Sequence, residues 1–223
     1  LQLITEVVEH AILDSKINIK DISAIAVTHG PGLKGALMVG LNFAKGLAIT
    51  LNIPIIGVNH MEGHLFSNFI NKKKITYPFL CMLVSGGHTQ IWFVESYKKY
   101  NLLSTSIDDA AGEAFDKGAR MLGLNYPGGP EIERLAINGA LDKFKFPIAR
   151  IKKSKNNFSF SGLKTSLYYL SQKLDKNEFE KCKQDIAASY QEAIVDTLIE
   201  KIQYISKEID VYDLIIAGGV AAN

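Results

Sequence analysis

Apolar residues recur at helical spacing at the start of the chain, at Leu3, Ile4, Val7, Val8, Ala11 and Ile12, which predicts an amphipathic helix over about residues 1–14. Ala24-Ile25-Ala26-Val27 then reads as a strand, Gly30-Pro31-Gly32 as a loop, residues 34–49 as a helix and 53–58 as a second, buried strand. Strand, glycine loop, helix, strand is a βαβ unit and implies parallel pairing. Residues 62–69 continue the pattern as a helix that ends near Asn71-Lys72-Lys73-Lys74. That basic run marks a boundary between a first lobe, 1–74, and a second, 75–223. The second lobe opens with two strands, Phe79 to Val84 and 90–94, joined by Ser85-Gly86-Gly87-His88. A mostly helical stretch follows over 107–210, its clearest helix marked by Ile186, Tyr190, Ile194, Leu198, Ile202 and Ile205. A last strand over 214–217 runs into Gly218-Gly219. The pattern is α/β, with no internal repeat.

Bulk composition narrows the field only slightly. At 223 residues, 47% hydrophobic and 22% charged, the chain has the make-up of a soluble globular protein. Net charge is +2 and the pI 8.4, too mild a basicity to argue for nucleic acid. Basic residues cluster locally, at Lys72–Lys74 and at Lys152, Lys153 and Lys155. Of the two cysteines, Cys81 lies in an apolar run, so a disulfide framework is not expected and a reducing compartment fits. Lys34, Asn42, Lys45 and Asn52 interrupt the most apolar stretch, which argues against a membrane span. The chain starts in mid-helix without Met and ends just past a Gly-Gly turn, so it is expected to be a fragment lacking both ends.

Candidate chemistry begins directly after the second strand, with His60-Met61-Glu62-Gly63-His64. Two His at i and i+4 of a helix stack on one face, which suits two imidazoles on one metal ion. The alternative is a pair of ordinary solvated or core histidines, but the exit from a buried strand in an α/β sheet is where ligand sites form. A zinc protease would place a glutamate beside the first His. Here Glu62 lies about 200° around the helix from His60 and loses the role of general base.

Two glycine turns sit at strand ends. Ser85-Gly86-Gly87 allows positive φ and close approach of backbone N–H groups to an anion, but Gly-Gly alone reads first as a plain hairpin turn. Gly218-Gly219, with Asn223 shortly after, is a second turn of this kind. The segment from Ile107 to Lys117 holds Asp108, Asp109, Glu113 and Asp116 near a helix start. Dipole compensation and the pairs Glu113–Lys117 and Asp116–Arg120 explain those charges structurally; hydrogen bonds to ligand hydroxyls are the functional alternative. Tyr126-Pro127-Gly128-Gly129-Pro130 reads as a stiff loop, and Phe158-Ser159-Phe160-Ser161-Gly162 presents hydroxyls among aromatics. Gly162-Leu163-Lys164-Thr165 does not match a P-loop.

Taken in order, His-Met-Glu-Gly-His, Leu-Val-Ser-Gly-Gly-His-Thr-Gln, Asp-Asp-Ala-Ala-Gly-Glu-Ala-Phe-Asp-Lys, Tyr-Pro-Gly-Gly-Pro, Phe-Ser-Phe-Ser-Gly-Leu-Lys-Thr and Ala-Gly-Gly-Val-Ala-Ala-Asn resemble the bacterial type of the tRNA N6-adenosine threonylcarbamoyltransferase family, formerly the O-sialoglycoprotease family, over essentially the whole chain. The resemblance implies an actin-like, Hsp70-like, sugar-kinase fold: two ribonuclease-H-type lobes with a nucleotide cleft between them, the two glycine turns being opposing walls. It implies transfer of the threonylcarbamoyl group of threonylcarbamoyl-AMP to N6 of the adenosine beside the anticodon, in tRNAs that read codons beginning with A. Leu83, Val84, Ser85, Gly86 and Gly87 would then cradle the donor, and Asp116, Gly129, Glu133 and Asn223 would contact its adenosyl part. Glu133 stands where many relatives carry Asp. His60 and His64 would hold one divalent metal, Fe²⁺ or else Zn²⁺, with an Asp as third ligand outside these residues. Besides tRNA, a paralogous non-catalytic protein and a small P-loop ATPase would be partners, in the cytoplasm and away from any membrane. No residue reads as a covalent nucleophile. The rival reading is a nucleotide-binding kinase or a non-catalytic paralogue of the same superfold, neither of which needs the paired histidines.

Overall fold

The computed structural model describes residues 3–71, 75–149, 151 and 155–223. Lys72, Lys73, Lys74, Lys152 and Lys153, the main part of the two basic clusters, lie outside the described residues. Contacts gather the chain into two compact units, Leu1–Ser67 and Asn68–Asn223, the division falling a few residues before the lysine run. Each unit is α/β.

The first unit runs α1 (Leu3–Ser15), β1 (Ile25–Gly30), α2 (Lys34–Leu51), β2 (Ile55–Asn59) and α3 (His60–Phe66). β1 and β2 pair in parallel, from Ile25 opposite Ile55 to Thr28 opposite Val58, as the βαβ pattern requires. α2 stops at Asn52, which turns left-handed at φ 53° and gives its N–H to the carbonyls of Ala48 and Ile49, a C-cap that asparagine tolerates. α3 starts two residues earlier than its apolar pattern suggests. Asn59 caps it, its side-chain oxygen accepting from the Met61 N–H at 2.8 Å, so both histidines sit on the helix.

In the second unit, β3 (Phe79–Val84), β4 (Thr89–Ser96), β5 (Lys99–Thr105) and β6 (Asp213–Ala217) form one sheet in the order β5-β4-β3-β6. β3 runs antiparallel to β4 and parallel to β6. Every residue of β3 is buried, which is why it reads as an unbroken apolar run. β5 was not anticipated by the hydrophobic pattern. Its register against β4 shifts twice, at Ile91/Trp92 and at Val94/Ser96, and such irregularities break the two-residue alternation that betrays a strand.

Between β5 and β6 come α4 (Ala111–Met121), α5 (Gly128–Ala136), α6 (Ser161–Lys173), α7 (Lys176–Lys181) and α8 (Lys183–Ser206). Leu80, Met82, Val84 and Ile91 of the sheet share a core with Ala111, Ala114 and Phe115 of α4 and Ile186, Tyr190 and Ile194 of α8. The Tyr190 hydroxyl donates to the Ala114 carbonyl at 3.0 Å, and burial pushes its pKa up. The ring lies so close to Gly118 that a Cβ there would stand 2.4 Å from it. α8 thereby fixes α4 against the sheet. Cys81 is fully buried in β3, neither cysteine is disulfide-bonded, and burial pushes the Cys81 thiol up to about 12. Among the described residues no helix is long and apolar enough to cross a membrane.

Candidate functional site

The ends of β3 and β6 and the facing ends of α4 and α5 enclose a cleft of about 300 Å³. All of its lining residues come from the second unit. Gly86 contributes from the β3–β4 turn, Gly112, Phe115 and Asp116 from α4, Tyr126 and Pro127 from the segment before α5, and Gly129, Pro130 and Glu133 from α5; Gly219, Val220, Ala222 and Asn223 follow β6. Five of the nine residues that the family resemblance assigns to the donor therefore meet in one cavity: Gly86, Asp116, Gly129, Glu133 and Asn223. Leu83, Val84, Ser85 and Gly87 do not line it, and the side chains of Leu83 and Val84 are buried in the core.

The plain hairpin reading of Ser85-Gly86-Gly87 holds, while the placing of the two glycine turns on opposing walls needs correction. Gly86 and Gly87 do not adopt positive φ; they form the hairpin turn between β3 and β4, closed by Ser85 N–H to the His88 carbonyl at 2.8 Å. Their lack of a side chain matters for space instead. A Cβ on Gly86, Gly129 or Gly219 would meet nothing within 4 Å, so three walls of the cleft present bare backbone to whatever enters. Nor do the turns oppose each other. They end neighbouring parallel strands, and Gly218, at φ +100°, lies so close that a Cβ there would stand 2.3 Å from the Val84 carbonyl oxygen. Carboxyl ends of adjacent parallel strands are where α/β sheets bind ligands. α4 and α5 supply the opposite wall. At its foot Gly112 packs on the turn so tightly that a Cβ would lie 2.6 Å from both Gly86 Cα and the Ser85 oxygen.

The four carboxylates near α4 divide their work. Asp116 is half-buried, and its Oδ1 accepts from the Gly128 N–H at 2.7 Å, capping α5; Oδ2 remains for the cleft. Arg120 is not its partner. Lys117 pairs with Asp109 and lies 3.9 Å from Glu113. Asp108 serves α6 rather than α4: it accepts from the Ser159 hydroxyl at 2.5 Å, the Phe160 N–H at 2.8 Å, and the Ser161 hydroxyl and N–H at 2.8 and 3.3 Å. Partial burial raises its pKa, but these four hydrogen bonds outweigh that and hold it below the usual carboxylate value. The hydroxyls of the Phe-Ser-Phe-Ser-Gly motif are thus engaged in a helix cap. Tyr126–Pro130, expected as a loop, is helical from Gly128 on, and α5 carries Gly129 and Glu133 on one element. Phe115, Tyr126, Gly112 and Val220 were not singled out as lining residues; their only sequence signal was membership of the motifs.

In the first unit, His60 and His64 stand one turn apart on α3, half-buried, with ring centroids 4.5 Å apart and the two Nε2 atoms 3.2 Å apart. Two nitrogens each about 2.0–2.1 Å from one ion at a tetrahedral angle stand roughly 3.3 Å apart. The observed separation matches that spacing, and equally that of a hydrogen bond from one imidazole to the other. Among the described residues no group of three His, Cys, Asp or Glu side chains converges.

A family model for TsaD, tRNA N6-adenosine threonylcarbamoyltransferase, matches residues 1–223. The tRNA N6-adenosine threonylcarbamoyltransferase of Thermosipho africanus is 50% identical over 217 residues, covering 97% of this chain and 65% of the relative. Those of Clostridium kluyveri and Clostridium perfringens are 49% and 50% identical, each covering 100% of this chain and 66% of the relative. The chain thus spans about 65% of the length of the curated relatives it matches. Among solved structures, YeaZ from Pseudomonas aeruginosa overlays with a TM-score of 0.35 at 13% identity, covering 45% of this chain and 52% of that one.

Proposed function

Because the chain belongs to the tRNA N6-adenosine threonylcarbamoyltransferase family, we propose that this protein moves the threonylcarbamoyl group from threonylcarbamoyl-AMP to N6 of the adenosine beside the anticodon in tRNAs reading codons that begin with A. The observation that carries the reading is convergence. Gly86, Asp116, Gly129, Glu133 and Asn223 come from four separate stretches of sequence and meet around one cleft.

The reaction is acyl transfer. The N6 amine attacks the carbamoyl carbonyl, a C–N bond forms, the bond from carbon to the phosphate oxygen breaks, and the amine loses a proton as AMP departs. What such a site must supply is position and stabilisation of developing charge. Bare backbone at Gly86, Gly129 and Gly219 lets the donor lie against the main chain. Asp116, through the oxygen not used by Gly128, and Glu133 accept hydrogen bonds from the ribose hydroxyls. Asn223, at the turn after β6, donates or accepts at the adenosyl end. Leu83, Val84, Ser85 and Gly87 act through the strand and turn that hold Gly86 in place.

His60 and His64 would hold a divalent metal, Fe²⁺ or Zn²⁺, whose chemistry is Lewis-acid polarisation of the donor. The close Nε2 pair favours this reading over the kinase or non-catalytic paralogue. The acceptor is tRNA, bound with help from a paralogous non-catalytic protein and a small P-loop ATPase in the cytoplasm. Mass analysis of tRNA nucleosides from cells depleted of the protein tests the proposal: threonylcarbamoyladenosine should fall, and unchanged levels would refute it.

A further inference from the structure

Of the two aromatic side chains in the cleft wall, Phe115 is buried and Tyr126 is exposed, at 84%, yet the backbone that carries Tyr126 is pinned on both sides. Before it, the Leu124 N–H bonds the Ala119 carbonyl at 2.9 Å and the Gly123 N–H bonds the Arg120 carbonyl at 3.1 Å. After it, the Gly128 N–H is held by Asp116 at 2.7 Å. The residue also stands between two cavities, the 300 Å³ cleft and a second of about 480 Å³ lined by Lys117, Arg120 and Asn125. A ring that packs in no core, yet is held on a fixed backbone at the mouth of a cleft, is arranged to meet a flat partner.

We propose that Tyr126 is the platform on which the purine base of the nucleotide donor stacks, and so a specificity-determining residue of the site. The inference rests on the nucleotide reading of the cleft given above. Stacking on an aromatic face discriminates a base from the sugar phosphate that carries it, because only the base has a π-face to offer. Asp116 and Glu133, which line the same cleft, then address the ribose, while Tyr126 addresses the base. The acceptor adenosine of the RNA has the same chemistry as the donor's base; we assign the platform to the donor because its lining partners are the residues matched to the adenosyl moiety.

The test is calorimetric titration of the full-length protein and its Tyr126→Ala, Tyr126→Leu and Tyr126→Phe variants with AMP, with ribose 5-phosphate, and separately with an anticodon stem-loop RNA. Tyr126→Ala and Tyr126→Leu should weaken AMP by about five-fold or more, from the usual worth of base–aromatic stacking. Tyr126→Phe should match wild type, ribose 5-phosphate should bind all four proteins alike, and the melting temperature should not move. AMP binding that survives Tyr126→Ala or Tyr126→Leu overturns the platform alone. A loss of RNA affinity with AMP unaffected overturns the assignment to the donor. Wild-type protein that binds no AMP refutes the nucleotide reading of the cleft itself, and the platform with it.

Discussion

Gly112→Ala and Gly86→Val place side chains on two glycines in mutual contact and should have opposite consequences. On Gly112 the new Cβ would lie 2.6 Å from Gly86 Cα and 2.6 Å from the Ser85 oxygen, where 3.4 Å is the near limit of ordinary contact. The turn must therefore retreat by about 0.8 Å, and no flexible side chain is present to absorb the shift. Overpacking of this kind costs roughly 1–3 kcal/mol, and contact with backbone on two sides argues for the upper end. Alanine gains about 1 kcal/mol of helix propensity over glycine in a helix interior and less in the first turn, so a net loss of about 2 kcal/mol is expected. On Gly86 the Cβ meets nothing within 4 Å, and φ is not positive there. Stability should change by less than about 1 kcal/mol, while the branched side chain projects into the cleft and blocks the nucleotide. Urea denaturation of the full-length protein reads the first effect, and calorimetry with AMP reads the second. A Gly112→Ala variant as stable as wild type would refute the packing argument; a Gly86→Val variant that keeps its AMP affinity would show that the bare turn does not face the ligand.

His60→Ala and His64→Ala should each lower bound metal, measured by elemental analysis, and abolish transfer while leaving circular dichroism unchanged; full activity in either would remove the metal from the mechanism. Asp116→Asn should keep the cap on Gly128 and weaken only nucleotide binding, whereas Asp116→Ala should in addition lose about 1 kcal/mol of stability with the cap, so equal urea midpoints for the two would show that the bond to Gly128 contributes nothing. Asp108 has a folded pKa held below its ordinary value, so the stability it contributes is present above the unfolded value near 3.9 and is lost as pH falls through the folded one; Asp108→Asn should flatten that acid limb, and an unaltered pH profile of the denaturation midpoint would refute the assignment. Cys81, buried with its thiol pushed up to about 12, should resist alkylation in the native protein while Cys182 reacts, and equal labelling in native conditions would contradict the burial.

What the sequence disclosed depended on how far apart the cooperating residues lie along it. The histidine pair was legible because one helical turn, four residues, sets its geometry. The βαβ unit and the buried strand β3 were legible because their periodicity is local too. β5 was hidden by two register shifts that scramble its alternation. The cleft was legible only through matching of motifs, since nothing local to Gly129 or Asn223 says that they face one cavity.

The motifs themselves do not separate ligand contact from scaffolding, and Asp108 shows why. The hydroxyls of Ser159 and Ser161 look like candidates for a substrate, as does any exposed Ser beside a glycine. In the folded chain a carboxylate 51 residues before Ser159 takes both of them, together with two N–H groups at the start of α6. The neighbouring Asp116 makes the same kind of bond, to the first N–H of α5, yet keeps an oxygen for the cleft that it lines. The two aspartates share a residue type, a segment and a capping role. They differ in that Asp116 borders a cavity with bare backbone around it, while the bonds of Asp108 are all internal to the fold. Assigning function to a carboxylate in this family's pattern therefore requires knowing which of its lone pairs the fold has already used, and that accounting is possible only once distant segments have been brought together.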